Sequence, residues 1–190
     1  MKTALKVLAV LVVGTLLGLA ATWLTVFRGG LMDAVHDGPW TTNLTVGSSA
    51  SDMYTRAAVA VHGLLALNRN ETIYYAAHTD SDHNRLDGRC TYLITGRDPT
   101  ARWWAITAYA MDDYLIPNAA HRYSVSKNSV ARNAAGEFVV TVSQIHFDRD
   151  WIPVAGKRFL LTLRLYNPAA NVAADPAHAA LPAIKKVSCS

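Results

Sequence analysis

The stretch KRFLLTLRLY, residues 157 to 166, decides the fold. Phe159, Leu161, Leu163 and Leu165 fall on one parity, while Arg158, Thr162, Arg164 and Tyr166 fall on the other. Successive side chains of an extended chain point to opposite faces, so this alternation predicts a strand with one side in the core. Similar β-branched or aromatic-rich runs occur at TIYYAAHT (72 to 79), CTYLITG (90 to 96), RWWAITAYA (102 to 110), RYSVS (122 to 126) and EFVVTVSQIHF (137 to 147), with turn residues between them. In the last of these Phe138, Val140 and Val142 share a parity that Ile145 and Phe147 do not, which predicts a bulge or a strand end near Ser143 and Gln144. Six closely spaced strand candidates with few helices favour a mainly β protein, an antiparallel β-sandwich rather than a parallel sheet.

Upstream the pattern changes. VLAVLVVGTLLGLAATWLTVF, residues 7 to 27, carries no charge, and at a rise of about 1.5 Å per residue it reaches about 32 Å, enough to cross a bilayer core. Lys2 and Lys6 precede it, so residues 1 to 6 are expected in the cytoplasm, with a single-pass helix over 7 to 27 and the remaining domain exported, in the periplasm if the membrane is a bacterial inner membrane. A cleaved signal peptide competes, with Gly18 and Ala20 as small residues of a cleavage site, although the apolar run exceeds the roughly 7 to 15 residues of a signal core. Residues 28 to 50, rich in Gly, Thr and Ser, read as a stalk or extended arm, and 51 to 190 as the sandwich domain. SDMYTRAAVAVHGLLAL opens that domain as one packed helix, with Ser51 as N-cap, Asp52 at the positive end of the helix dipole, and Met53, Ala57, Val61 and Leu64 on a core-facing stripe.

Charge excludes one large class of partners. Setting aside Lys2 and Lys6 leaves 16 of the 18 basic residues against 14 acidic ones, with no Lys/Arg cluster, so no nucleic-acid footprint is present. Cys90 and Cys189 are the two cysteines, candidates for a disulfide in an exported domain. Two unrelated buried thiols or a metal pair are the alternatives, but no CxxC or Cys/His spacing accompanies them, so no metal site and no cofactor is assigned.

Seven spaced motifs carry a resemblance: YTRAAVA (54 to 60), IYY (73 to 75), LDGRCTY (86 to 92), ARWWAITAYA (101 to 110), DWIP (150 to 153), RLYNP (164 to 168) and LPAIKKVSC (181 to 189). In this order the chain resembles the bacterial domain of unknown function 1214 over about residues 40 to 189. The resemblance implies a jelly-roll-like β-sandwich in envelope proteins of proteobacteria, often beside a second domain of unknown function numbered 1254, which makes a companion protein carrying that domain a candidate partner. It brings no catalytic residues, and both cysteines lie inside its motifs.

The candidate binding face follows from strand parity. Trp103, Thr107 and Tyr109 share the side of their strand opposite Trp104, Ile106 and Ala108, and Arg164 and Tyr166 have the same mixed character on the last strand. Amphipathic aromatics with polar tips of this kind stack on sugars or rest against a partner protein. Packing strands and rim ion pairs of Arg102 and Arg164 are the plainer reading. Asp112 and Asp113 suggest a glycosidase pair, yet adjacent residues on an extended chain diverge, and a turn ending at Pro117 and Asn118 accounts for them. HTDSDHNRLDG, residues 78 to 88, places His78 and Asp80 on one parity but lacks Ca²⁺-loop spacing and reads as a hairpin turn. His62 reads as a packed helix residue. No complete catalytic constellation emerges, which leaves a binding or scaffolding module, with an envelope hydrolase or lyase acting on a carbohydrate or small ester as the alternative.

Overall fold

The computed structural model describes residues 2–28, 34–62 and 66–189. Its strands are β1 (Ala34–Asp37), β2 (Trp40–Asn43), β3 (Thr72–Ala77), β4 (Cys90–Arg97), β5 (Ala101–Ala110), β6 (Ser124–Ser126), β7 (Glu137–Ser143), β8 (Trp151–Pro153), β9 (Phe159–Pro168) and β10 (Ala183–Cys189). They form a six-stranded sheet, β1-β2-β3-β9-β5-β6, and a four-stranded sheet, β10-β4-β7-β8. The alternating strand of KRFLLTLRLY is β9, one of the two central strands of its sheet, flanked by β3 and β5. Its Phe159, Leu161, Leu163 and Leu165 are all buried, as alternation requires. Across the interior Trp104 of β5 meets Phe138 of β7 at 4.8 Å between ring centroids, and Tyr92 of β4 meets Phe159 edge-on at 5.9 Å. These contacts join the two sheets into one apolar core.

Three buried aromatic groups with polar tips donate to backbone or carboxylate oxygens. Trp104 Nε1 donates to Asp98 Oδ1 at 3.0 Å, Trp40 Nε1 to the Pro182 carbonyl at 2.7 Å, and Tyr75 OH to the Pro176 carbonyl at 2.9 Å. A buried N–H or O–H without an acceptor costs more than the bond itself contributes, so these contacts also pin the loops that supply the oxygens. Burial keeps the Tyr75 phenol well above its ordinary range, reinforced by the carboxylates of Asp37 and Asp175.

Four expectations need correction. The stalk assigned to 28 to 50 is not a stalk over residues 34–43: β1 and β2 extend the six-stranded sheet and Trp40 is fully buried. Four-residue strands are too short to display a period, which is why composition alone suggested an arm; residues 29–33 lie outside the described residues. The sandwich is not wholly antiparallel, because β8 runs parallel to β7, with Thr141 opposite Trp151. The Trp151 indole N–H, bonded to the Ser143 carbonyl at 2.9 Å, holds that short return strand in place. The helix α2 (Met53–Val61) takes Asp52, not Ser51, as its N-cap: Asp52 Oδ1 accepts from the backbone N–H of Tyr54 and Thr55, while the Ser51 hydroxyl is turned away to the Thr45 carbonyl. Finally, α2 buries Thr55 and Ala58, while Met53 and Val61 of the expected core stripe are exposed and Leu64 lies outside the described residues. A short helix, α3 (Ala170–Ala174), and a 3-10 turn at Pro176–His178 link β9 to β10.

Other expectations hold. β7 ends at Ser143, where the Ser143 hydroxyl accepts from the Ile145 N–H at 3.1 Å, and Ile145 and Phe147 emerge exposed. The N-terminal helix α1 (Lys2–Arg28) has the length and composition of a membrane anchor or signal sequence, with none of its apolar window buried. Cys90 and Cys189 form a disulfide, which fits an extracytoplasmic domain. The two residues lie directly opposite in the β4–β10 ladder with their α-carbons 3.9 Å apart, so the bond ties an edge strand, and the chain's end, to the sheet.

Closing a loop over a sequence separation of 99 contributes at most about 4.7 kcal/mol on the chain-entropy model. A Cys189→Ser variant is therefore expected to melt earlier and to lose residues after Pro182 to protease first, which thermal denaturation and peptide mapping check; an unchanged melt contradicts it. A second prediction concerns Asp98. Burial alone would raise its carboxyl, but hydrogen bonds from Arg132 and the Trp104 indole outweigh that and hold it below the ordinary aspartate range. A depressed folded value stabilises above the unfolded pKa and is lost as pH falls through the folded one. Stability should thus decline below about pH 4 more steeply in the parent than in Asp98→Asn, as read by urea melts across that range.

Candidate functional site

The register of β9 against its two neighbours builds the outer face of the six-stranded sheet in rows. Tyr166 lies between Thr72 and Trp103, Arg164 between Tyr74 and Ala105, and Thr162 between Ala76 and Thr107. Tyr109 lies one row further on, opposite Leu160. All five expected residues, Trp103, Thr107, Tyr109, Arg164 and Tyr166, are therefore on one face. Three pairs among them are in direct contact. Arg164 Nη2 donates to Tyr109 OH at 2.6 Å and Nη1 to Thr107 Oγ1 at 3.2 Å, with the guanidinium carbon 5.4 Å from the Tyr109 ring centroid. Trp103 and Tyr166 pack with ring centroids 5.2 Å apart, tilted by 56°.

Thr107 is buried and the other four are half-buried. The rim pairing considered for Arg164 does not occur: its donors go to a phenol and a hydroxyl, and among the described residues no carboxylate lies within ion-pair distance of it. A guanidinium has five N–H donors in a planar fork. Two are committed to these neighbours, which orient the fork and leave donors for an acceptor from outside. Tyr74, in the row of Arg164, completes the aromatic floor, and its hydroxyl accepts from the Leu67 N–H at 3.4 Å. Parity with Thr72 was the signal that identifies Tyr74 as outward, within a motif otherwise read only as strand.

At the Tyr109 end the face meets a second group. Asp112 Oδ1 accepts from the Tyr114 N–H, so this carboxylate makes the turn that was expected. Asp113 takes a left-handed backbone (φ 65°) and its Oδ2 lies 2.5 Å from Nδ1 of His62, the C-cap of α2. His62 is thus an exposed, paired cap and not a packed core residue. His78, which follows β3, lies close enough to sense the same groups: burial pushes its imidazole below the ordinary value, the Asp113 carboxylate opposes this, and Arg85 and His62 reinforce it. Asp80 does not share its surroundings, being fully buried and accepting from the N–H groups of Asp82 and Asn84, so residues 78 to 88 are the turn expected. Beside α2 a cleft of about 440 Å³ opens between Gly47, Val59 and Leu67. Gly47 is required there, since its φ of +74° is left-handed and an added Cβ would come within 2.2 Å of the Leu67 carbonyl oxygen.

The two-sheet β domain with a disulfide-tied tail and an apolar N-terminal helix is the class these features define. The family model described as "Protein of unknown function (DUF1214)" matches residues 71–170, and the chain belongs to this family. The match is narrower than the 40 to 189 expected, and it contains all five residues of the outer face. Among solved structures, the chain is similar to the VPA0106 protein from Vibrio parahaemolyticus, with a TM-score of 0.62 and 23% identity, covering 73% of this chain and 36% of that one. A putative uncharacterized protein from Burkholderia cenocepacia matches at a TM-score of 0.44 and 15% identity, over 63% of this chain and 30% of that one. The chain therefore spans about a third of the length of these solved proteins. No curated protein matches it.

The half-exposed Trp103–Tyr166 pair makes a specific stability prediction. Trp103→Ala should lose the aromatic pair, about 0.5 to 1.5 kcal/mol, and the part of its surface that is buried, and should cost less than Trp104→Ala, which in the core should cost about 3 to 5 kcal/mol. Chemical denaturation of both variants separates the two faces of one strand, and equal costs would contradict the assignment.

Proposed function

We propose that the chain is a single-pass, membrane-anchored envelope domain, with α1 in the inner membrane and the β domain in the periplasm, that captures a ligand on the outer face of the six-stranded sheet. The observation that carries this reading is Arg164, oriented by Tyr109 and Thr107, with no carboxylate partner among the described residues and with aromatic rings beside it. A planar cation on an aromatic floor suits a glycan that bears a carboxylate, the rings stacking on the sugar and the guanidinium taking the acid. A companion protein carrying the domain of unknown function 1254, as the family resemblance implies, is the other occupant of the same binding role. The jelly-roll-like arrangement fits a chain that crosses between sheets at β3–β4, β4–β5, β6–β7, β8–β9 and β9–β10.

A hydrolase or lyase acting on a carbohydrate or small ester remains a second reading, supported by the His62–Asp113 pair and His78 near the Tyr109 end of the face. Turnover of acidic oligosaccharides, abolished by His78→Gln and retained in a surface variant such as Val139→Thr, would favour it over binding alone.

Glycan-array binding of the full chain in detergent, repeated with Arg164→Gln and Trp103→Ala, tests the leading reading. Selective capture of uronate-containing glycans, lost at least tenfold in Arg164→Gln with the melt unchanged, is expected. Binding indifferent to Arg164, or capture only of a protein partner in crosslinking from the envelope, overturns the glycan assignment.

A further inference from the structure

Helix α2 is built the wrong way round for a core helix. It buries the small Thr55 and Ala58, while Met53 is 77% exposed, Tyr54 45% and Val61 49%. Arg56 does not soften this surface, because its guanidinium folds back onto the carbonyls of Ser51 (3.0 Å) and Ser49 (2.9 Å). A nine-residue helix, about 13 Å long, thus presents large apolar side chains outward with its one cation turned aside. Such a surface is costly in water.

Its neighbour indicates what covers it. α2 packs against α1, and along α1 exposure drops only at Thr25 and Val26, within two residues of the apolar end at Phe27. At about 1.5 Å per residue, those positions lie some 3 Å inside the outer limit of the span, at the boundary between acyl chains and headgroups. Trp23 and Phe27, stacked at 5.8 Å, mark the same level with aromatic rings of the kind that settle there. A helix touching α1 at that depth lies in the interface, and α2's amphipathic pattern is the pattern of a helix lying along it.

We infer that α2 is a membrane-interface helix, with Met53, Tyr54 and Val61 seated in the outer boundary of the bilayer that α1 spans. This rests on the reading of α1 as a retained anchor. The seat would fix the domain's orientation: a rigid two-sheet body held by one helix alone could swivel, whereas a second contact beside α1 limits which way the sheet faces. It also explains why sequence periodicity was right about the apolar stripe and wrong about its destination.

The test uses the full chain, labelled with carbon-13 at its methionine methyls, in nanodiscs of phosphatidylethanolamine and phosphatidylglycerol. The Met53 signal is assigned by Met53→Leu. Addition of a phospholipid spin-labelled near the glycerol end of its acyl chain should broaden Met53 several-fold more than a water-soluble gadolinium chelate does. Greater broadening by the chelate, with α1 still resisting alkaline carbonate extraction, overturns the seating of α2 and leaves the anchor standing. Release of the chain by carbonate overturns the anchor, and the seating with it.

Discussion

Strand β9 meets β5 in one register, from Ala101 opposite Pro168 to Ala110 opposite Phe159, and the rest of the molecule depends on it. Because side chains alternate, that single offset sends Leu161, Leu163 and Leu165 inward with Trp104, Ile106 and Ala108, and brings Arg164 to Tyr109 and Thr107 outward. A slip by one residue would bury a guanidinium and expose the core. The hydrophobic face therefore holds the polar face in place, at no cost in specificity to either. β3 repeats the constraint on the other side of β9, adding Tyr75 to the core and Tyr74 to the outer face.

Around this centre, edges and loops are tied by single bonds of high consequence. The indole of Trp40 reaches Pro182, just before β10, so the first strands and the last are fastened together through one hydrogen bond. The disulfide fastens the far end of β10 to β4. Between them, β10 is held at both ends although it lies on the sheet edge and has little buried surface of its own. This arrangement suits a domain in an oxidising compartment, where the bond persists.

The sequence made some of this legible and hid the rest for identifiable reasons. The alternation of β9 and the phase slip at Ser143 were readable because strands of seven to ten residues contain enough positions to show a period. The two cysteines were readable because nothing competed for them. β1, β2, β8 and β10 were missed: the first three are only three or four residues long and a parallel return like β8 leaves no mark in composition, while β10, seven residues long, buries only Ile184 and so shows no alternation. The five outer-face residues could be placed on a common side by parity, but the contacts of Arg164 could not, since parity gives faces and only register gives neighbours. The meeting of His62 with Asp113, 51 positions apart, had no local signal at all. α2 shows a different limit: periodicity identifies an apolar stripe, and it does not say whether the apolar medium is a core or a bilayer.

The claim that one register builds both faces is tested most directly by solution NMR of the strand pair. Close contacts between α-protons across β5 and β9 should fall on alternate members of the series Trp103/Tyr166, Trp104/Leu165, Ala105/Arg164 and Ile106/Leu163. Contacts shifted by one residue, with Trp103 opposite Leu165, would contradict the account.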